Sequence, residues 1–498
     1  MLAAIAAAVL FSFGGLLSAP FQFDDHAILA DPAITSPSGW REVWRPSQTR
    51  PLTYFTFWLN HAVGGESPVG YHAVNLALHL ASSALVWICL RRLIPGQAAA
   101  IAAFVFAVHP AQTEAVAYVF ARSTLLCTLL CLASLLPWTR GSRWWAAAAF
   151  GAALLAKEEC AAFPAFLLLL HWAGSRDRAE RVPLAAMFAM AAAFAARVAF
   201  LAAVTPGSGA GQQSGFGATQ YFLTQGFAIL RYFQLLAIPV GFTVDPAIPL
   251  MADWRGVVSW AAILFAAFVA SRSFRGPGAG FWFLAGMVLL MPTSSIFPAQ
   301  DLAADRRLYL PMLGFAAFTG LIVRRTSFPI LLAAGGAVLC MLSYARADVW
   351  KSELALWEDA MRWAPDKLRP RLQAARAADP GTGLRLLEDA RNRAPGDPTV
   401  ASELGRLHLA NGRPSEALRE FGRALALQPG DPLALNQRGV ALFQLGLREP
   451  AIADFRHALD ADACQFDARY NLRKAGIFTE VPEHCRWPES RVRLWQAP

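Results

Sequence analysis

The chain has 498 residues, 56% of them hydrophobic and only 16% charged, with 16 Trp and 34 Phe. That composition excludes an ordinary soluble domain and points to an all-α protein that crosses a membrane repeatedly. The net charge of +9 does not mark a nucleic-acid binder, because Arg and Lys fall in short clusters between apolar runs and in the tail, as topology signals and solvated surface.

The first segment, from Met1, is apolar and lacks Lys and Arg, and Leu17-Ser18-Ala19 resembles a cleavage context only faintly, so it reads as an uncleaved span. Asp24-Asp25 comes directly after it. An ionised side chain in hydrocarbon costs about 2.5 to 3.5 kcal/mol. Two adjacent acids therefore sit either in a hydrated turn, with Asp25 as a cap on the succeeding segment, or at the start of an active site. Arg50-Pro51-Leu52-Thr53-Tyr54 comes next, and then His72, Asn75 and His79 at helical spacing. These three form one inward polar face that either bonds neighbouring helices or touches substrate. Proline stops the third span at His109-Pro110. Glu114 and Arg122 then form either a salt bridge or, through Glu114, a second acid facing Asp24-Asp25 across a cleft. Lys157-Glu158 closes the fifth span and Asp305-Arg306-Arg307 precedes the tenth. Such cations can bind a lipid-linked phosphate or simply snorkel to the interface.

Basic clusters set the orientation. Arg91-Arg92, Arg140 with Arg143, the run Arg176 to Arg181, Arg272 with Arg275, and Arg324-Arg325 are expected on the cytoplasmic side, which sends Asp24-Asp25, His109 to Glu114, Lys157-Glu158 and Asp305 to Arg307 to the other. The segment Tyr221 to Val240 carries Arg231 in its middle and reads as re-entrant or interfacial. This bias gives about eleven spans and an exported C-terminus. Cys89, Cys127, Cys131, Cys160 and Cys340 lie in or beside apolar segments and behave as small hydrophobes, whereas Cys464 and Cys485 could pair if the tail is exported.

After Trp350 the pattern turns polar and helical. Pro395-Gly396-Asp397-Pro398 recurs as Pro429-Gly430-Asp431-Pro432, an offset of 429 minus 395, or 34 residues, the tetratricopeptide period. A degenerate unit from about Trp357 to Ala394 precedes the two clear ones, giving a short solenoid of about three helix pairs. The expected domains are thus a polytopic helix bundle over 1–349 and a repeat domain over 350–498.

In chain order, Phe23-Asp24-Asp25, Arg50-Pro51-Leu52-Thr53, Tyr71-His72 with Asn75 and His79, Phe106 to Pro110 with Thr113 to Val116 and Arg122, Lys157-Glu158, Asp245 to Leu250, and Asp305 to Pro311 resemble the transmembrane and tetratricopeptide-repeat O-mannosyltransferase family. Asp305 where a Glu is usual, Arg307 where an apolar or aromatic residue is usual, a variation at His26 and a short repeat array depart from it. The resemblance implies a GT-C fold and an inverting transferase in the cytoplasmic membrane, with its repeats outside the cytoplasm. The Ala- and Arg-rich composition suggests a bacterial member, with polyprenyl phosphate replacing dolichyl phosphate as carrier. By that resemblance Asp24 is the base, Asp25 and Glu114 orient the acceptor or tune the base, and Lys157, Arg306 and Arg122 hold the donor phosphate. Arg50, His72, His109, Glu158 and Asp305 are further site candidates. No cofactor is expected, a divalent cation held by the paired acids being the weaker alternative. The implied partners are the bilayer, the lipid-linked sugar, a protein or glycolipid acceptor, and a protein bound by the repeats, with no nucleic acid. A non-enzymatic scaffold is the rival reading; a transporter would require an internal symmetry that the halves lack.

Overall fold

The structure, a computed structural model, describes all residues except 175–176, 205–214, 275, 295–297, 300, 326–328, 486, 488–490, 492–493 and 496–498. Arg176 and Arg275, two of the topology residues, lie outside the described residues. Among the described residues every regular element is a helix. The chain forms two compact units, Met1–Ser352 and Glu353–Pro498.

Among the described residues of the first unit five helices are long and apolar enough to cross a membrane: Pro68–Leu93, Val119–Trp138, Arg178–Val204, Trp254–Arg272 and Pro329–Lys351. Gly96–Val108 and Pro110–Ala117 make a sixth span if the pair, bent by 49° at His109, is counted as one. Leu2–Ser18, Ala279–Thr293 and Met312–Val323 are apolar but shorter. A 12-residue helix rises about 18 Å, against roughly 30 Å of hydrocarbon. The expectation of about eleven spans set aside Tyr221 to Val240 and counted the other apolar stretches. The structure instead distributes them among full-length, bent and short helices.

Small residues bring these helices close, as packing in lipid favours. A Cβ on Gly320 would stand 2.3 Å from the Ala98 carbonyl oxygen, and one on Gly314 2.3 Å from the Gly286 nitrogen. Large side chains such as Phe265 and Phe268 on Trp254–Arg272, and Ile330 and Leu331 on Pro329–Lys351, are exposed, as a lipid-facing surface requires. This is a multi-pass membrane protein. The helix Ala218–Ala237 holds Arg231, whose Nη1 reaches the Asp305 carboxylate at 2.9 Å, so the charge in this apolar segment is paired within the unit.

The second unit is built from repeated helix pairs. Asp397 and Asp431 cap the helices Pro398–Ala410 and Pro432–Gln444, each accepting from the backbone N–H two residues on, at 2.8 and 2.9 Å. Gly405 and Gly439 admit the rings of Phe421 and Phe455, which a Cβ would meet at 2.7 and 2.6 Å. Cap, glycine and phenylalanine all recur at the repeat offset. Before these pairs stand the helices Glu353–Trp363, Leu368–Ala377 and Pro380–Arg393. Cys464 and Cys485 form a disulfide.

Candidate active site

The turn after the first helix separates the two neighbouring acids. Phe23, with φ of 49°, is the one non-glycine residue in the left-handed region among the described residues. Beyond it, Asp25 opens the helix Asp25–Ala30 and is fully buried. Its Oδ2 accepts from the backbone N–H of Gln22 at 3.0 Å and of Val119 at 3.4 Å, and its Oδ1 from that of Phe120 at 2.7 Å. Burial pushes its pKa up to about 7, against the pull of those N–H donors. Asp25 is therefore a clamp between the first loop and residues 119–120.

This clamp makes stability depend on pH. The folded pKa lies above the ordinary 3.8, so between those values the folded protein holds a proton that the unfolded chain releases. The stabilisation is fully present below the ordinary pKa and is lost as pH rises through the folded one. The melting temperature of the parent, measured against Asp25→Asn in detergent, is expected to fall as pH is raised from about 4 to about 8. A gap between parent and variant that grows in the parent's favour with pH contradicts this.

Asp24, in contrast, is exposed. The Tyr118 hydroxyl donates to its Oδ2 at 2.7 Å and accepts from its backbone N–H at 3.3 Å. Burial first, then the Asp24 carboxylate, hold the Tyr118 phenol well above its ordinary pKa, so it stays a donor at neutral pH. The Arg306 guanidinium lies 5.8 Å from the Tyr118 ring and ion-pairs with Glu114 and, at 2.9 Å, with Asp301. The Arg306 backbone N–H donates to Glu114 Oε2 at 3.1 Å. Burial disfavours the Arg306 charge, but Glu114 and Asp301 outweigh it and raise the pKa. Asp24, Tyr118, Arg306 and Glu114 thus form one connected group, in which Asp24 is exposed and Arg306 keeps 26% of its side chain accessible.

A second polar group adjoins it. Arg50 forms a bidentate pair with Glu158, Nε to Oε2 at 3.0 Å and Nη2 to Oε1 at 2.5 Å. Burial raises the Glu158 pKa, but Arg50 overrides it and holds the carboxyl at about 2. Arg197, from the helix Arg181–Val204, holds the loop before Arg50 by donating to the carbonyls of Pro46 and Gln48 at 2.9 and 2.6 Å. Burial raises the Tyr54 phenol, against the pull of the Arg50 charge and with the push of Asp31 and Asp24.

Other candidates sit apart from an accessible surface. Arg122 is fully buried, donating to Asn75 at 3.0 Å, Asn60 at 2.8 Å and the carbonyls of Tyr71 and Thr56 at 3.0 and 3.2 Å. Its guanidinium lies 4.5 Å from the Phe57 ring centroid. Its recorded hydrogen bonds all go to protein, and the carboxylate expected to pair with it, Glu114, pairs with Arg306 instead. Lys157 is likewise buried, its Nζ bonded to Thr124 Oγ1 at 2.6 Å and Glu159 Oε2 at 2.7 Å. Asp305 is buried, accepting from Arg231 and from the Thr243 N–H at 3.2 Å. The polar face of Pro68–Leu93 bonds its neighbours: His79 meets the Tyr309 hydroxyl at 2.8 Å and the Ala107 carbonyl at 2.9 Å, and Asn75 the Tyr118 carbonyl at 3.2 Å. His72 is buried near Ala19 and Pro20, and His109 Nδ1 accepts from the Ala111 N–H at 3.2 Å, capping the turn after the bend. Tyr118, Asp301, Glu159 and Thr124 were not among the sequence candidates. Tyr118 stands four residues after Glu114 and Glu159 directly after Glu158, so a wider window around each motif would have included both.

Residues 374–439 match the tetratricopeptide-repeat family model. Over 355 residues the chain is 26% identical to Protein O-mannosyl-transferase F38B6.6 of Caenorhabditis elegans, covering 64% of this chain and 49% of that protein. The chain is a relative of the transmembrane and tetratricopeptide-repeat O-mannosyl-transferases. It is also 39% identical over 109 residues to Protein O-mannosyl-transferase TMTC4 of Homo sapiens, covering 19% of this chain and 15% of that protein. The chain thus spans about half the length of the nematode relative and less of the human one. Among solved structures, ArnT from Cupriavidus metallidurans bound to undecaprenyl phosphate aligns with 14% identity over 91% of this chain and 79% of that one, at a TM-score of 0.41.

Proposed function

We propose that the protein is an integral membrane glycosyltransferase of the GT-C type, moving a hexose, mannose by the names of its relatives, from a polyprenyl-phosphate donor to a hydroxyl on an acceptor protein. The observation that carries this reading is an exposed carboxylate, Asp24, fixed by Tyr118 within the same group as the partly accessible Arg306. Asp24 takes the acceptor proton while the acceptor oxygen bonds to the anomeric carbon. The bond from that carbon to the phosphate oxygen breaks, and polyprenyl phosphate departs with the electron pair. A single displacement inverts the centre and needs a base on one side and cationic stabilisation on the other. Arg306 is the first choice for the phosphate and Arg50 the second, each keeping part of its side chain accessible. The reaction needs no cofactor in this reading, and both carboxylate oxygens of Asp25 being taken by N–H groups disfavours a cation shared with Asp24.

The deciding experiment is transfer from radiolabelled polyprenyl-phosphate mannose by purified protein, with mass spectrometry of exported glycoproteins and glycolipids from cells with and without the gene. Loss of a hexose from a protein hydroxyl supports the reading. An Asp24→Asn variant that matches the parent in every assay favours the scaffold.

In this reading the site and the repeats face away from the cytoplasm, and the Cys464–Cys485 disulfide supports that orientation because such bonds persist in oxidising compartments. A phosphatase fusion at Gly396 is expected to be active. A fusion that is inactive as phosphatase but fluorescent in the cytoplasm overturns the orientation. The repeats would then hold an extended segment of the acceptor or of a partner protein in their groove.

A further inference from the structure

Three aromatic rings surround the turn that carries Asp24. The Phe23 ring stands edge-on to Tyr118 at 5.8 Å and to Trp350 at 6.2 Å, and Tyr118 and Trp350 lie 6.2 Å apart at an interplanar angle of 30°. Each ring therefore touches the other two. Phe23 is also the residue held in the left-handed region, one position before the acid. A side chain there is strained, and such a conformation persists only where the surroundings over-determine it. Trp350 supplies that constraint. It is 1% exposed, and its carbonyl accepts from Gln22 Nε2 at 3.5 Å on the other side of Phe23. Its indole N–H is buried with no hydrogen-bond partner among the described residues. Burying a donor unpaired is unfavourable, so the ring is kept there for its shape and area.

We propose that Trp350 is a positioning residue for Asp24: by closing an aromatic clasp on Phe23 and Tyr118, it holds the turn in which Asp24 faces outward while Asp25 faces inward. Asp24 reaches Tyr118 directly, and the Trp350 ring meets Tyr118 and Phe23, through which it acts on the turn. The last turn of the first unit, Val349–Lys351, thus sets the geometry of an acid more than 300 residues earlier in the chain.

The inference rests on Asp24 being the base, and its test includes a readout that does not. In the full-length protein, Trp350→Ala is expected to lower kcat about 10- to 100-fold with the donor KM nearly unchanged, and Trp350→Phe to restore most of the loss. Independently of turnover, carbodiimide labelling of Asp24, read by peptide mass spectrometry with buried Asp25 as internal reference, should change in Trp350→Ala and return towards the parent in Trp350→Phe. Should Trp350→Ala not fold, Phe23→Gly decides by the same readouts, because glycine accepts the left-handed backbone while removing the ring. Parental kcat and parental labelling in the variant that folds overturn the clasp. If the parent shows no transfer, the glycosyltransferase reading fails and the labelling alone judges the clasp.

Discussion

Asp24→Asn is expected to abolish sugar transfer while leaving the protein folded and the lipid donor bound. The amide keeps the size of the side chain and an oxygen for the Tyr118 hydroxyl at Oδ2, but it cannot take the acceptor proton. A base of this kind contributes about 10²- to 10⁴-fold. Folding should be little affected because Asp24 is exposed and its main-chain contact to Tyr118 remains. Purified parent and variant compared for binding and turnover of radiolabelled polyprenyl-phosphate mannose provide the measurement. Near-parental turnover in the variant removes Asp24 from the mechanism and makes Glu114 the next acid to test.

Arg306→Ala is expected to lose donor binding and to lower stability, two effects that a second substitution separates. Removing the guanidinium leaves Glu114, a buried carboxylate, with only the backbone N–H of residue 306 from its former partner. Stranding a buried charge costs about 3 kcal/mol or more. Glu114→Gln in the same chain removes that charge, so the double variant should recover thermal stability. It should not recover affinity for the donor, since the cation that faces phosphate is still missing. A double variant that regains both stability and donor affinity shows that Arg306 acts only as the partner of Glu114. Arg50→Ala serves as a comparison, because it strands Glu158, whose carboxyl is held at about 2 chiefly by that guanidinium once burial is overcome.

Arg122 and Asp305 find their partners far along the chain, Asn60 and Asn75 for Arg122 and Arg231 for Asp305, and Lys157 adds Thr124 to the nearby Glu159. A charged residue in an apolar chain announces that it has a function or a partner. It does not announce which. Burial in a low-dielectric interior requires that every such group be paired or hydrogen-bonded, and most of the charges in these motifs meet that need within the fold, leaving Asp24 exposed and Arg306, Arg50 and Glu158 partly so.

The amino-acid sequence by itself determined whatever is periodic or local. Apolar runs announce membrane helices because backbone groups in lipid must bond within their own segment. The recurrence of Pro-Gly-Asp-Pro announces the repeats, and each Asp caps the helix beginning at the next residue, a contact made entirely within the motif. The bend at His109-Pro110 is legible for the same reason, since proline withholds an N–H from its own helix. Tertiary structure alone decided which of two adjacent acids is open. Phe23 turns left-handed under rings brought from Tyr118 and Trp350, and Asp25 closes on N–H groups of residues 119 and 120. Glu114 finds Arg306 192 residues away. A pairing of that kind is selected by packing and by the electrostatic demand of burial, and neither leaves a spacing along the chain from which it could be read.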